Sequence, residues 1–149
     1  MKSLSEYLSR IGKSRGYGIQ SPWAYSFVKD VISEKLPYYA YSDIENQYLD
    51  TREQKKQKLY FRVRNFLHGA PLRIVSMKQY ATEDILSICS SLSMNGVLVV
   101  EDIFSSDRNY SRWLQLRDSC LIGITFDLYD FAICFMPNGM YKQHYKLNF

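Results

Sequence analysis

Val97-Leu98-Val99-Val100-Glu101-Asp102 is the stretch on which the fold turns. An unbroken branched apolar run cannot alternate between a wet and a dry face. It predicts a strand buried on both faces of a sheet, as parallel α/β sheets require. The run ends in two carboxylates, and the C-terminal end of a buried strand is where α/β proteins place ligand groups. Glu101 and Asp102 are therefore candidate substrate-side acids. The competing and favoured reading makes Asp102 or Asp107 the cap of the next helix.

Working outward, Asn95-Gly96 turns the chain into this strand. Before the turn, Thr82 predicts a helix start, with Ile85, Ile88, Cys89 and Leu92 on its buried face. Earlier still, Leu72-Arg73-Ile74-Val75-Ser76 predicts a short strand. Strand, helix and strand in that order imply a parallel pair with a right-handed crossover. Downstream, Tyr110, Trp113 and Leu114 mark another helix. Residues 121–128 and 131–136 predict two strands around Tyr129-Asp130, close enough for a hairpin. Asp127 and Asp130 flank that turn, and turn chemistry suffices to explain them. Tyr145, Leu147 and Phe149 alternate with His144, Lys146 and Asn148, which predicts an edge strand.

The first half reads as helices. Leu4, Tyr7, Leu8 and Ile11 fall at helical spacing, so residues 3–11 are expected to form a short amphipathic helix. Gly12, Gly16 and Gly18 break it, in a stretch expected to be flexible that also carries Lys13, Arg15 and Tyr17. Ser21-Pro22 predicts a capped helix start. Trp23, Phe27, Val28, Val31 and Ile32 form its apolar face, and Pro37 is expected to end it. Ser42-Asp43 is expected to cap a further segment from Ile44. Leu59, Tyr60, Val63, Phe66 and Leu67 share one face of a later helix that Gly69 and Pro71 terminate. The expected organisation is an N-terminal helical region over residues 1–70 and an α/β region over residues 71–149, forming one body.

Composition sets outer limits. A chain of 149 residues with 46% hydrophobic and 23% charged residues suits one folded domain with a real core. No apolar run approaches the roughly 18 residues of a membrane helix, so no membrane partner is expected. The opening residues include Glu6 and do not read as a secretion signal. Cys89, Cys120 and Cys134 are odd in number and set in apolar stretches. They are expected to be reduced core thiols of a cytoplasmic protein. No Cys/His spacing suggests a metal. His68 follows a helix, where a cation suits the C-terminal dipole. His144 has no acid or nucleophile at a readable spacing, and Ser21 reads as a cap. No catalytic residue is assigned.

Net charge is +4, compatible with an anionic partner without requiring one. Arg52, Lys55, Lys56, Lys58, Arg62 and Arg64, interleaved with Tyr60 and Phe61, form a candidate anion-binding patch. Lysine and arginine neutralise phosphates, and aromatic faces stack on bases. The plainer reading is the solvated face of a helix, and nucleic acid is the lesser alternative.

Three segments carry a family resemblance: Gly18-Ile19-Gln20-Ser21-Pro22-Trp23, the run Tyr38-Tyr39-Ala40-Tyr41-Ser42-Asp43-Ile44-Glu45, and the tail from Val97 to Phe149. They resemble the Bacteroidetes-type class I S-adenosylmethionine-dependent methyltransferases, a bacterial family. Gln20 departs from the family, which commonly has histidine there. The helix from Lys56 to Leu67 is similar to the one preceding the family's core, and the C-terminal block to the last half of that core. The resemblance implies an α/β fold: N-terminal helices plus a cut-down Rossmann-like core, with a small mixed sheet of about four to five strands.

In the family a strand, a glycine-rich turn and a helix hold the cofactor, and a second strand ends in an acid for the ribose hydroxyls. Here Phe66-Leu67-His68-Gly69-Ala70-Pro71 runs almost directly into Leu72-Arg73-Ile74-Val75-Ser76, with no G-x-G pattern between. By resemblance this is the family's fourth strand, with Ser76 or Met77 at its usual terminal aspartate. The first three strands are missing, so the fourth becomes an edge. An exposed edge invites pairing. The expectation is a degenerate methyltransferase-like protein that binds no S-adenosylmethionine. Residues 72–76 would pair in a homodimer or lie under the N-terminal helices. The alternatives are an active methyltransferase whose site a partner chain completes, and a weak nucleic-acid binder through residues 52–64.

Overall fold

The computed structural model describes residues 4–10, 19–92 and 94–149. They divide into two units: residues 19–69, and residues 4–10 together with residues 70–149 apart from 93. The chain passes from one unit to the other between Gly69 and Ala70. The stretch from Ile11 to Gly18, including the three glycines expected to break the first helix, lies outside the described residues.

In the sheet unit, α1 (Leu4–Ser9) precedes β1 (Leu72–Ser76), α5 (Thr82–Ser91), β2 (Val97–Glu101), α6 (Asp107–Arg117), β3 (Thr125–Asp127), β4 (Phe131–Phe135) and β5 (His144–Lys146). The five strands form one mixed sheet in the order β1-β2-β4-β3-β5. β1 and β2 are parallel, with Ile74 opposite Val99. β4 runs antiparallel to both β2 and β3, and β5 is parallel to β3. Hence β1, β2, β3 and β5 all point one way, and Ser76, Glu101, Asp127 and Lys146 mark the same end of the sheet.

Periodicity explains the core. Leu98 and Val100 of β2 stand opposite Cys134 and Ala132 of β4. All four join one apolar cluster with Ile85 and Cys89 of α5 and Trp113 and Leu116 of α6. The alternate positions Val97, Val99 and Ile133 are buried too. The apolar run was therefore a sound sign of a strand covered on both faces. Each such side chain contributes about 1.5–3 kcal/mol. Ile88 and Leu92, also expected on the buried face of α5, are only partly buried against this cluster.

In the helical unit, α2 (Pro22–Phe27) continues as a π-helical turn (Val28–Ile32), followed by α3 (Ala40–Gln47) and α4 (Thr51–Leu67). Ser21 caps α2 by accepting the Ala24 N–H at 3.3 Å, with Pro22 at the first helical position. Phe27, Val28, Val31 and Ile32 are buried, as are Leu59, Tyr60 and Val63 of α4. Asp50 caps α4 through the Arg52 N–H. His68 closes it in the left-handed conformation at φ 49°, and Gly69 follows at φ 90°. A left-handed pair releases the chain from a helix, and glycine takes that conformation without a Cβ penalty.

Several local expectations are corrected. The helix begun at Pro22 ends at Ile32, well before Pro37. α3 begins at Ala40, so Ser42 and Asp43 lie inside it, and Ser42 Oγ donates back to the Tyr39 carbonyl at 3.0 Å. The reason is tertiary: Tyr38, Tyr41 and Phe61 pack edge to face. Thr82 is the first residue of α5 and not its cap, because its hydroxyl accepts Arg112 Nε at 3.1 Å. Ser106 caps α6, and neither Asp102 nor Asp107 does. Cys120 is exposed, in the turn after α6, and is no core thiol. Leu4 and Leu8, expected on a buried stripe of α1, are 74% and 54% exposed.

Candidate functional site

The parallel strand ends carry two polar clusters. The first joins β1 to β2. Asp102 follows β2 with φ 62°, a left-handed conformation that non-glycine residues adopt seldom and at a cost of order 1–3 kcal/mol. Ser76, at the end of β1, donates its hydroxyl to Asp102 Oδ2. Lys78 Nζ lies 3.2 Å from Asp102 Oδ1. The Ser76 oxygen also accepts the Lys78 backbone N–H at 3.1 Å. The Met77 N–H donates to the Glu101 carbonyl at 3.0 Å, extending the ladder by one bond. Both carboxylate oxygens of Asp102 are thus engaged by this chain's own donors. Lys78 is 60% exposed, so its pair with Asp102 is worth about 0–1 kcal/mol and is the one a ligand could displace.

Lys78 also lines a cleft of about 670 Å³ between the β1–α5 loop and the first turn of α6. Arg112 spans one wall. Its guanidinium donates to the Met77 and Tyr80 carbonyls, to Thr82 Oγ1 and to Asn109 Oδ1. These acceptors are all neutral, so Arg112 fixes the loop and keeps its positive charge on the cleft wall.

The second cluster joins α1 to β3 and β5. Arg10 is 1% exposed. Its Nη1 donates to Asp127 Oδ1 at 2.8 Å, to the Asp127 carbonyl at 2.9 Å and to the Leu147 carbonyl at 3.2 Å. Nε and Nη2 donate to Glu6 Oε1 at 3.1 and 2.7 Å. Its guanidinium carbon lies 5.0 Å from the Tyr129 ring centre and 5.8 Å from that of Phe104. Those rings stack with centroids 5.0 Å apart, and Tyr110 stacks on Phe104 at 4.4 Å. Burial works against the Arg10 charge, but the bonds and charges of Asp127 and Glu6 outweigh it and raise its pKa. Burial likewise opposes the Glu6 carboxylate, yet Arg10 and Lys146 hold its pKa below the usual value.

Sequence reading missed this cluster. It assigned Asp127 to turn chemistry, which accounts only for the bond from the Tyr129 N–H to Asp127 Oδ1 at 2.9 Å. One local signal was present: Glu6 and Arg10 stand at the i,i+4 spacing of a helical ion pair.

The basic patch on α4 is dispersed. Arg62 is 8% exposed and turned inward, donating to the Val31 and Ile32 carbonyls at 2.6 and 3.1 Å and to the Tyr41 hydroxyl at 3.0 Å. Lys56 pairs with Glu53 at 2.9 Å. Lys58 pairs with Glu45 and sits over the Tyr41 ring. Arg52, Lys55 and Arg64 are exposed. His68 is exposed at the end of α4, and His144 Nδ1 shares a hydrogen bond with Thr125 Oγ1 at 2.8 Å.

No group of acids, cysteines and histidines able to hold a metal occurs among the described residues. No described helix is long and apolar enough to cross a membrane. Comparison with protein-family models, with curated proteins and with solved structures gives no match. The class defined here is a mixed α/β protein with a five-stranded sheet.

Proposed function

We propose that the chain is a methyltransferase-like scaffold that binds no S-adenosylmethionine and works through protein contact, pairing with a second copy through β1. The observation that carries this reading is the place of β1 at the end of the sheet order. Among the described residues β1 has a sheet neighbour on one side only, and strand edges template pairing. Arg73 and Ile74 are exposed there, Ile74 by 37%. Pairing of two β1 strands about a two-fold axis at Ile74 would set Ile74 against Ile74 and Arg73 against Val75. Apolar side chains would meet, and the two arginines would not face each other.

Two further observations support the scaffold. The parallel β1–α5–β2 unit is what a cut-down Rossmann-like core would retain. Ser76, one of the two residues (with Met77) that the resemblance sets at a terminal aspartate's position, donates to Asp102 and so completes the strand end from within.

Light scattering coupled to size exclusion tests the pairing at tens of micromolar protein. A dimer that Ile74→Lys converts to a folded monomer is the expected result. A wild-type monomer at that concentration contradicts it.

A further inference from the structure

We propose that the cleft beside the end of β1 binds a small polar phosphate monoester, held by Lys78, Arg108 and Arg112. Binding there does not depend on pairing through β1. The three cations reach the cleft from two segments: Lys78 from the β1–α5 loop, Arg108 and Arg112 from α6. Glu83 is the acid among the lining residues. Three positive side chains against one negative leave a lining charge of +2. A phosphate monoester carries about −1.5 to −2 at pH 7 and matches it.

Each cation keeps capacity for an anion. The neutral acceptors around Arg112 take four of its five N–H groups, so its guanidinium is held in place with the charge unspent. A group fixed in advance loses little freedom on binding. Arg108 is exposed and makes no hydrogen bond or ion pair among the described residues, so its planar fork is open to a phosphate. Lys78 is engaged only by its exposed pair with Asp102 at 3.2 Å, which an anion can displace. Arg108 and Arg112 also stand at i,i+4 on α6, where like charges repel. An anion in the cleft relieves that repulsion.

The rest of the cleft selects a polar ligand. Its volume of about 670 Å³ suits a small organic molecule. Gln79, Tyr80, Thr82 and Asn109 set amide and hydroxyl groups beside the cations, as a hydroxylated carbon skeleton next to a phosphate requires. Ala81 gives α5 no side-chain cap, so backbone N–H groups at this wall add to the cations without replacing them.

Calorimetric titration of the full chain with glycerol 3-phosphate at low salt tests the site. Saturable binding at millimolar ligand is expected, and glycerol should give none. Arg108→Ala, at an exposed position, should raise Kd at least about tenfold, and Lys78→Met should raise it too. Inorganic phosphate should bind more weakly than the ester, since it leaves the amide and hydroxyl groups unused. Backbone amide NMR shifts should move at residues 77–83 and 108–112. The proposal is overturned by no saturable heat, by unchanged affinity in a folded Arg108→Ala chain, or by shifts confined to other residues. Inorganic phosphate or succinate binding as tightly as the ester overturns it as well. Should Arg108→Ala fail to fold, Lys78→Met and the wild-type shifts decide.

Discussion

Arg10 and Asp127, 117 positions apart, form an ion pair at 2.8 Å whose side chains are 1% and 7% exposed. The pair ties the start of the chain to the end of β3. Removing one partner of a buried pair leaves the other charge uncompensated, which typically costs about 3–5 kcal/mol. Asp127→Asn should lower stability by that order in urea unfolding. Glu6→Gln, which removes a more exposed carboxylate, should cost less.

The His144 imidazole is pushed below its usual pKa by burial first, then by the charges of Arg117 and Lys142, with Asp118 opposing. Its folded pKa is depressed, so the neutral ring is favoured in the fold. The resulting stability is fully present above the unfolded value of about 6.5 and is lost as pH falls through the folded value. The difference in urea midpoint between wild type and His144→Gln should therefore change as pH falls below about 6.5 and stay constant above it.

The three cysteines should separate by reactivity. Burial pushes the Cys89 thiol up to about 11 and the Cys134 thiol well above its usual value, whereas Cys120 is exposed. Thiolates are the reactive form. Iodoacetamide at neutral pH should label Cys120 in the folded chain, and Cys89 and Cys134 only after unfolding, as read by peptide mass spectrometry.

Arg62 offers a direct contrast with Arg64. Arg62 holds the Val31 and Ile32 carbonyls, and charge-assisted bonds of this kind contribute about 1.5–3 kcal/mol each. Arg62→Ala should destabilise the helical unit by at least about 2 kcal/mol. Arg64→Ala, at an exposed position, should change stability by less than about 0.5 kcal/mol.

Legibility in the sequence followed the range of the interaction. The run at residues 97–100 announced a strand because burial on both faces demands unbroken apolar character. Ser21-Pro22 announced a helix start because capping is a matter of adjacent residues. The start of α3 was obscured because the ring cluster of Tyr38, Tyr41 and Phe61 joins separate segments. Arg62 looked like surface charge because its acceptors are backbone carbonyls about thirty positions away, which leave no trace in side-chain periodicity. The stripe of Leu4 and Leu8 suggested an apolar seam, but both are largely exposed, and the adjoining Arg10 makes buried polar bonds to Asp127 and the Leu147 carbonyl. Of the candidate site, Glu101 and Asp102, at the end of β2, were visible at a strand end. The cluster of rings and carboxylates around Arg10 was not, since Arg10, Phe104 and Asp127 meet only in the folded sheet.

The function proposed for this sheet is contact and not cofactor chemistry. Calorimetric titration of the wild-type chain with S-adenosylmethionine tests that claim most directly. The predicted result is no saturable heat at millimolar ligand. Binding in the micromolar range contradicts the account, because it means that a cofactor site has been rebuilt from other residues or across two chains.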